Sequence, residues 1–337
     1  MIDPTYSPKS PHFSVMLDEI INLSNPEKGG IFIDCTFGGG GFSKKILKFS
    51  NTKVIALDRD KIILNFAKEV KKQYPTRFSF FQSKFSKISD IVNNKLADAI
   101  IFDLGLSSIQ LNDFRRGFSF KSEQALDMSM GLTNLSAEDV VNNYSEKKLK
   151  LIIKILGEEK EASKIAKNII RFRAIKKITK ANQLAEIVNK SKKRNYSQKI
   201  NPSTKTFQAL RIFVNKEITE LVKGIIYATK ILRPGGKIIV ISFHSIEDKI
   251  VKYFFNNFSL NRSNPSRYFP ENDKNNINLF EKYKNQIIKP TNFEIMKNPP
   301  SRSAKLRYAV RSNNSFVFPE KMKIKFKKYL DLEGSHA

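Results

Sequence analysis

A doubly wound α/β sheet with a helical insertion is the fold this sequence predicts, on three observations. Short apolar runs alternate with helical periodicities over roughly the first third of the chain. Four consecutive glycines, Gly38 to Gly41, join the first of these strands to the helix that follows it. Beyond them, Asn112 to Lys199 carries no convincing strand and reads as a run of Lys-rich helices, a stretch long enough for a small inserted domain.

Taken in order, the tail over residues 1–11 is rich in Pro and Ser. His12 to Leu23 then sets Val15, Leu17, Ile20, Ile21 and Leu23 at mostly helical spacing, with Ser14 as cap and Glu19 in the opening turns. Ile31 to Asp34 is a buried strand that runs into the glycines and a helix opening near Phe42. Lys53 to Asp60 is a second apolar run, followed by an amphipathic helix over Lys61 to Lys72. Arg77 to Gln82 is a third strand, and Lys84 to Ile88 leads into a short helix. Ala97 to Ser108 supplies a fourth, nearly continuous apolar strand of the kind buried on both faces.

Within the insertion, Ser136 to Asp139 resembles a capping box. After it, Asn201 is placed to cap a helix with Pro202 at its first position and an apolar stripe of Phe207, Leu210, Phe213, Val214 and Leu221. Leu232 to Ser245 gives a turn and a fifth strand. Ser245 and Asp248 fit a capping box for the helix that follows, to Phe258. Residues 259–290 read as irregular, and Phe293 to Met296 and Leu306 to Arg311 as two last strands flanking the loop Asn298 to Ala304.

The glycine turn is where a ligand is expected. Backbone without Cβ atoms lets a ligand approach, and a helix N-terminus offers unpaired N–H groups to it. The dinucleotide fingerprint is incomplete, because Ser43 stands where Gly or Ala is expected, so a tight turn alone would also fit. Asp58 adds weight: an acid ending the second strand, ~20 residues past the glycines, is placed to accept both ribose hydroxyls. Asp103 ends the fourth strand beside Gly105, where sites of open α/β sheets gather, with Ser107 and Ser108 as polar neighbours. It also fits as a helix cap. His244, ending the fifth strand, suits either contact with a substrate and proton acceptance or a structural role. Phe42 and Phe85 suit either a ligand wall or the core.

Composition narrows the partners. Of 337 residues, 60 are Lys or Arg against 32 Asp or Glu, a net charge of +28, which fits a polyanionic partner such as a phosphate backbone. One cysteine, Cys35, and three histidines, His12, His244 and His336, exclude a disulfide framework and leave no zinc or other metal site expected. With no apolar run long enough for a bilayer and no signal peptide read, a cytoplasmic protein without a membrane partner is expected.

HFSVMLDE, DCTFGGGGFS, ALDRD, FDLGLSSIQLND, RGFSF, LDMSM, NPSTKTFQALRIFVN, GGKIIVISFHSIED and NPPSRSAKLR follow one another in an order that closely resembles the bacterial 16S ribosomal RNA cytosine-N4 methyltransferases, the RsmH/MraW family. The resemblance spans almost the whole chain. It implies a class I, Rossmann-like fold that uses S-adenosylmethionine, divided as 12–111 and 201–312 for the methyltransferase domain and 112–200 for a helical substrate-recognition insertion, with tails at 1–11 and 313–337 that are flexible or peripheral. It implies a cytosine of the decoding centre, within 16S ribosomal RNA of the small subunit, methylated on its exocyclic amine.

Carried over by position, the family's cofactor contacts fall on Gly40, Gly41, Phe42, Asp58, Phe85, Asp103 and Gln110. Phe42 stands where the family usually has His, so a backbone contact survives and a side-chain hydrogen bond does not. Lys205 replaces a frequent Arg, keeping charge without the bidentate fork. Asp103 and His244 are the catalytic candidates. Arg115, Arg116, Lys205, Arg211, Arg302 and Arg307 are the expected phosphate contacts, joined by Arg171, Arg173, Lys176, Lys177, Lys192, Lys193 and Arg194 of the insertion. Rival readings are an amino-methyltransferase acting on DNA, whose Pro-Pro motif FDLGLSS lacks, a non-catalytic ribosome assembly factor that binds RNA, and a nicotinamide dehydrogenase.

Overall fold

The computed structural model describes residues 14–92, 96–192, 201–260 and 278–335. The tail at 1–11, His12, His336, Lys193, Arg194 and residues 261–277 of the irregular stretch lie outside them. Six strands form one sheet: β1 (Gly30–Asp34), β2 (Thr52–Asp58), β3 (Phe78–Gln82), β4 (Ala97–Asp103), β5 (Leu232–Ser242) and β6 (Lys305–Val310). Their order is β3-β2-β1-β4-β5-β6, parallel throughout except that β6 runs antiparallel to β5. Strand order therefore reverses between β1 and β4, and the carboxyl ends of those two strands bound the crevice where open α/β sheets bind ligands. The central β4 is apolar on both faces, with Ile100, Ile101 and Phe102 fully buried.

Helices α1 (Leu17–Ser24), α2 (Gly41–Ile46), α3 (Leu64–Gln73), α4 (Ile88–Val92) and α5 (Ser108–Asn112) alternate with the first four strands. Four more, α6 (Ala137–Asn143), α7 (Glu146–Leu156), α8 (Ala162–Arg173) and α9 (Ala181–Ser191), make up the insertion. Each of the longer ones buries one stripe: Leu149, Ile152, Ile153 and Leu156 on α7, and Ala162, Ile165, Ala166 and Ile169 on α8. The Ser136–Asp139 capping box is formed at α6 as expected. These stripes share one continuous apolar core with the sheet.

The long helix expected after Asn201 is two helices, α10 (Thr204–Asn215) and α11 (Glu217–Ile231), broken at Lys216 with φ 51°. Asn215 causes the break to hold. Its buried amide accepts from the Met130 N–H and donates to the Met128 and Arg211 carbonyls, each at 2.8–2.9 Å. Asn201 acts one turn early, accepting the Ser203 N–H at 2.9 Å, so the helix begins at Thr204. The cap of α12 (Ser245–Asn257) is shifted too. His244 and Glu247 form it, because Asp248 is held by Arg307 at 2.7 Å.

Phe293 to Met296, expected as a strand, lies in α13 (Asn292–Lys297), capped by Thr291. A short apolar run reads equally as either element, and the Thr291 hydroxyl accepting the Glu294 N–H decides for helix. The C-terminal segment, expected as a flexible or peripheral tail, contains α14 (Glu320–Gly334), which buries Met322, Phe326, Tyr329 and Glu333. Glu333 reaches the start of α11 and accepts from the Ile218 N–H, the Thr219 N–H and the Thr219 hydroxyl. It thereby satisfies donors that every helix N-terminus leaves open.

Candidate active site

A cavity opens at the carboxyl ends of β1, β2 and β4, and the connections that follow these strands contribute to its wall. Cys35, Thr36, Phe37 and Gly38 come from the β1–α2 turn and Phe42 from the start of α2, Asp58 and Arg59 from the end of β2, and Asp103 to Ser108 from the end of β4 through the start of α5. Ser83, Lys84 and Phe85 follow β3, while Glu217, Glu220 and Leu221 of α11, with Phe243 and Glu247, close the far side.

The glycine turn shapes this cavity more than it lines it. Gly40 has φ 78°, and a Cβ there would lie 2.7 Å from the Phe37 ring, while one on Gly41 would collide with the Ser14 hydroxyl. Neither of those two glycines reaches the cavity wall, whereas Gly38 and Phe42 do. Ser43, the departure from the dinucleotide fingerprint, has a use of its own. Its hydroxyl donates to the fully buried Asp34 carboxylate at 2.7 Å. Burial still pushes the Asp34 carboxyl up to about 6.

At the β2 end, Asp58 accepts the Gly38 N–H and the Asp60 N–H, both at 2.9 Å, and burial raises its carboxyl to about 6. Two residues on, the buried Asp60 is bound by Gln110 at 2.7 Å and by Arg116 at 2.5 Å. Gln110 also completes a capping box with Ser107, so the cap of α5 is Ser107 and not Asp103.

Asp103 is left open by that arrangement. Its own N–H donates to the Thr36 hydroxyl at 2.7 Å, which fixes the backbone, but its Oδ1 is buried without a hydrogen-bond partner among the described residues. Burial first, then the charges of Asp34, Glu247 and Glu294, push its carboxyl up to about 8. Beside it, burial alone would raise Glu247, but His244, Arg211 and the Phe243 N–H outweigh that and hold it low. His244 does not reach the cavity. Its Nδ1 accepts the Glu247 N–H at 3.4 Å, and its Nε2 lies 3.1 Å from Glu247 Oε1 without the alignment of a hydrogen bond. His244, one of the two catalytic candidates, caps α12 and supports Glu247. Glu217, His244 and Glu247 do bring three potential metal-ligating atoms within 4.8 Å, yet Arg211 already engages both Glu217 oxygens at 2.8 Å.

The MraW methylase family matches residues 9–312. The chain belongs to that family. Proteins named ribosomal RNA small subunit methyltransferase H are similar to this methylase over most of both chains. The one from Ehrlichia canis is 43% identical, covering 88% of this chain and 98% of that protein. The Rickettsia canadensis protein is 41% identical with 88% and 97% covered, and the Afipia carboxidovorans protein 40% identical with 91% and 92% covered.

Against this family the expected phosphate contacts divide sharply. In the methylase Arg116, Arg211 and Arg307 are not free: Arg116 is committed to Asp60, Arg211 to Glu217, and Arg307 to Asp248, Tyr283 and Asn285. Arg211, bound bidentately to Glu217, positions that carboxylate, and single bonds tie Arg116 to Asp60 and Arg307 to Asp248 inside the protein as well. Arg115, Lys205 and Arg302 are exposed, and Arg115 leans on Asp113 at 2.7 Å. In the insertion, Arg173 is spent on the Val141 and Tyr144 carbonyls and Lys192 on Glu159, whereas Arg171 and Lys176 stay at the surface. Reading the sequence alone missed Thr36, Arg59, Glu217, Glu220 and Glu247. Arg59 carried the one available signal, since it adjoins Asp58. The glutamates sit far along the chain on elements whose approach only the fold discloses.

Proposed function

We propose that this methylase transfers a methyl group from S-adenosylmethionine to the exocyclic N4 of a cytosine in 16S ribosomal RNA, with the small ribosomal subunit as its partner. The carrying observation is the unpartnered Asp103 Oδ1 at the strand-order reversal. The relatives' printed name, which specifies ribosomal RNA of the small subunit, supports the choice of acceptor. Within a chain of net charge +28, the cavity wall nonetheless carries Asp58, Asp103, Glu217, Glu220 and Glu247 against Arg59 and Lys84. Such an acidic interior suits a cationic ligand, and the basic exterior suits RNA.

S-adenosylmethionine, when bound, supplies a methyl carbon activated by a sulfonium. The residues around the cavity fit it: Asp58, which lines the cavity at the end of β2, would take the ribose hydroxyls, and Gly38 would allow close approach. The amine of cytosine is a poor nucleophile because its lone pair is delocalised into the ring. Asp103 Oδ1 accepts an N–H of that amine, which localises the lone pair and fixes its direction. The methylated ammonium is acidic enough to lose its proton to water, so His244 is not needed as a base. A base inside a stack cannot reach this cavity, so the target nucleotide is unpaired or flipped out. Arg115, Lys205 and Arg302 hold the neighbouring phosphates.

The test is methyl transfer from labelled S-adenosylmethionine to small subunits lacking the modification, with naked ribosomal RNA and DNA in parallel, followed by nucleoside analysis. Label in N4-methylcytidine from subunit RNA is the expected result. Label only in DNA, or binding of the methyl donor without transfer to any acceptor, would overturn it.

A further inference from the structure

Helix α13 turns its apolar side chains outward. None of its six residues is buried among the described residues, and Phe293 and Met296, one turn apart on the same face, are 61% and 74% exposed. An amphipathic helix normally lays such a face on a core. Polar bonds hold this one in place instead: Glu294 accepts the Met16 N–H at 2.7 Å, and its own N–H donates to the capping Thr291 hydroxyl. The surroundings of the ring are basic. Lys297 Nζ lies 4.1 Å from the centroid of the Phe293 ring, and Lys289 and Arg302 are exposed to either side along the chain. Between Lys289 and Arg302 the sole acid is Glu294, which is engaged with Met16.

The helix stands at the edge of the cavity, on the side of Asp103. Asn298 and Pro300, just past its end, line that cavity, as do Ser14 and Val15, which precede Met16. The charge of Glu294 is among those felt at Asp103. An acceptor strand that delivers a base to Asp103 therefore passes this helix.

The chemistry of such a strand accounts for the exposed ring. A cytosine drawn out of its stack leaves one face of the neighbouring base bare. An aromatic side chain restores the lost stacking whatever that neighbour is, because every base has a π-face. A protein partner would be met by a patch depleted of charge, whereas this ring is interleaved with Lys289, Lys297 and Arg302. Rings for bases and cations for phosphates are the pattern of single-strand nucleic-acid sites.

Resting on the methyl-donor reading above, we propose that Phe293 stacks on the base beside the flipped cytosine, with Met296 extending the apolar surface and Lys297 on the adjoining phosphate. Phe293 is a positioning residue. It touches the RNA but not the reacting atoms, and it keeps the strand open while the cytosine stays at Asp103.

The chain has no tryptophan, so Phe293→Trp places a single indole at the stacking surface. Oligouridylate, whose bases are largely unstacked, should quench its fluorescence strongly. The duplex of oligouridylate with oligoadenylate, and inorganic polyphosphate, carry charge without free base faces and should quench it little. Ile175→Trp, at a site 89% exposed in the basic insertion, is the control and should show no such preference. Quenching of the Phe293→Trp indole that is equal with polyphosphate, or no stronger than that of the control, would overturn the stacking.

In methyl transfer to small subunits lacking the modification, Phe293→Ala should lower the rate at limiting subunit by roughly tenfold to a hundredfold. Phe293→Trp should keep the wild-type rate, and neither change should alter the melting temperature or the affinity for S-adenosylhomocysteine. Transfer by Phe293→Ala at the wild-type rate would overturn the proposal alone. Absence of transfer by the wild type to any acceptor would overturn the methyl-donor reading, and the fluorescence titration would still decide the stacking by itself.

Discussion

Asp58 and Asp103 end the two strands that flank β1, line the same cavity and are both half-buried, yet they meet different surroundings. Asp58 accepts two backbone N–H groups, and its carboxyl is raised only to about 6. Asp103 has an Oδ1 with no donor, and its carboxyl is raised to about 8. Hydrogen bonds to the charged form offset burial at the first site, and none does so at the second. On the proposed function, the satisfied carboxylate is a fixed anchor and the open one takes a donor that arrives with the ligands.

Replacing the open group separates these roles most strongly. Asp103→Asn should lower the single-turnover methylation rate by about 10²–10⁴-fold, the usual range for a positioned acid–base or orienting group. Affinity for S-adenosylhomocysteine, measured by calorimetry, should change much less. Equal losses in rate and affinity would instead assign Asp103 to holding the cofactor.

The satisfied end should respond in stability rather than in chemistry. Arg116→Ala leaves Asp60 buried with Gln110 as its remaining side-chain donor, a loss of about 3 kcal/mol that thermal melts would register as several degrees. Its neighbour Arg115, 80% exposed along its side chain, offers the contrast. Arg115→Ala should leave stability within about 0.5 kcal/mol and reduce the salt slope of RNA binding by about one. A similar melt for both variants would erase the distinction between anchoring and surface arginines.

Much of this was legible in the sequence where local pattern and tertiary role coincide. Strands buried on both faces are continuous apolar runs, so β1 and β4 announce themselves and Asp103 is marked by ending one, while Asp58 is marked by ending the apolar run of β2. The pairing of charges is not marked in the sequence, and for that reason Arg116, Arg211 and Arg307 read as free cations when the fold sets Arg116 on Asp60 and Arg307 on Asp248, 56 and 59 residues away, and Arg211 on Glu217 across the break at Lys216. His244 is related, since a histidine at a strand end suits either substrate contact or a structural role, and only the fold puts its Nδ1 on the N-terminus of α12. Glu220 carried no signal, because only the packing of α11 brings it beside Arg59.

The open carboxyl also predicts how affinity varies with pH. With Asp103 near 8 in the free protein, a cationic ligand favours its ionised form, so binding near pH 7 expels a proton. Affinity for S-adenosylmethionine should rise as pH increases toward 8, by at most about tenfold per unit, and level off above it. Calorimetry in buffers of different ionisation enthalpy would count the proton. Asp103→Asn should abolish its release, and release that persists in the variant would place the titrating group elsewhere.

Glu333 tests whether burial alone can raise a carboxyl that is well supplied with donors. It accepts from three groups at the start of α11, as Asp58 accepts from two, yet burial lifts it to about 8. A carboxyl raised on folding binds its proton more tightly in the native state, so its favourable contribution is full below about 4.5 and declines as pH rises toward 8, at up to about 1.4 kcal/mol per unit. Glu333→Gln keeps an acceptor for the helix and removes the titration. Melting temperatures of the wild type should therefore fall more steeply than those of the variant between pH 6 and 8, with the two curves parallel above that. Parallel curves throughout would mean that the three donors hold Glu333 ionised, as the N–H groups of Gly38 and Asp60 do more nearly for Asp58, and that donors rather than burial govern both ends of the comparison.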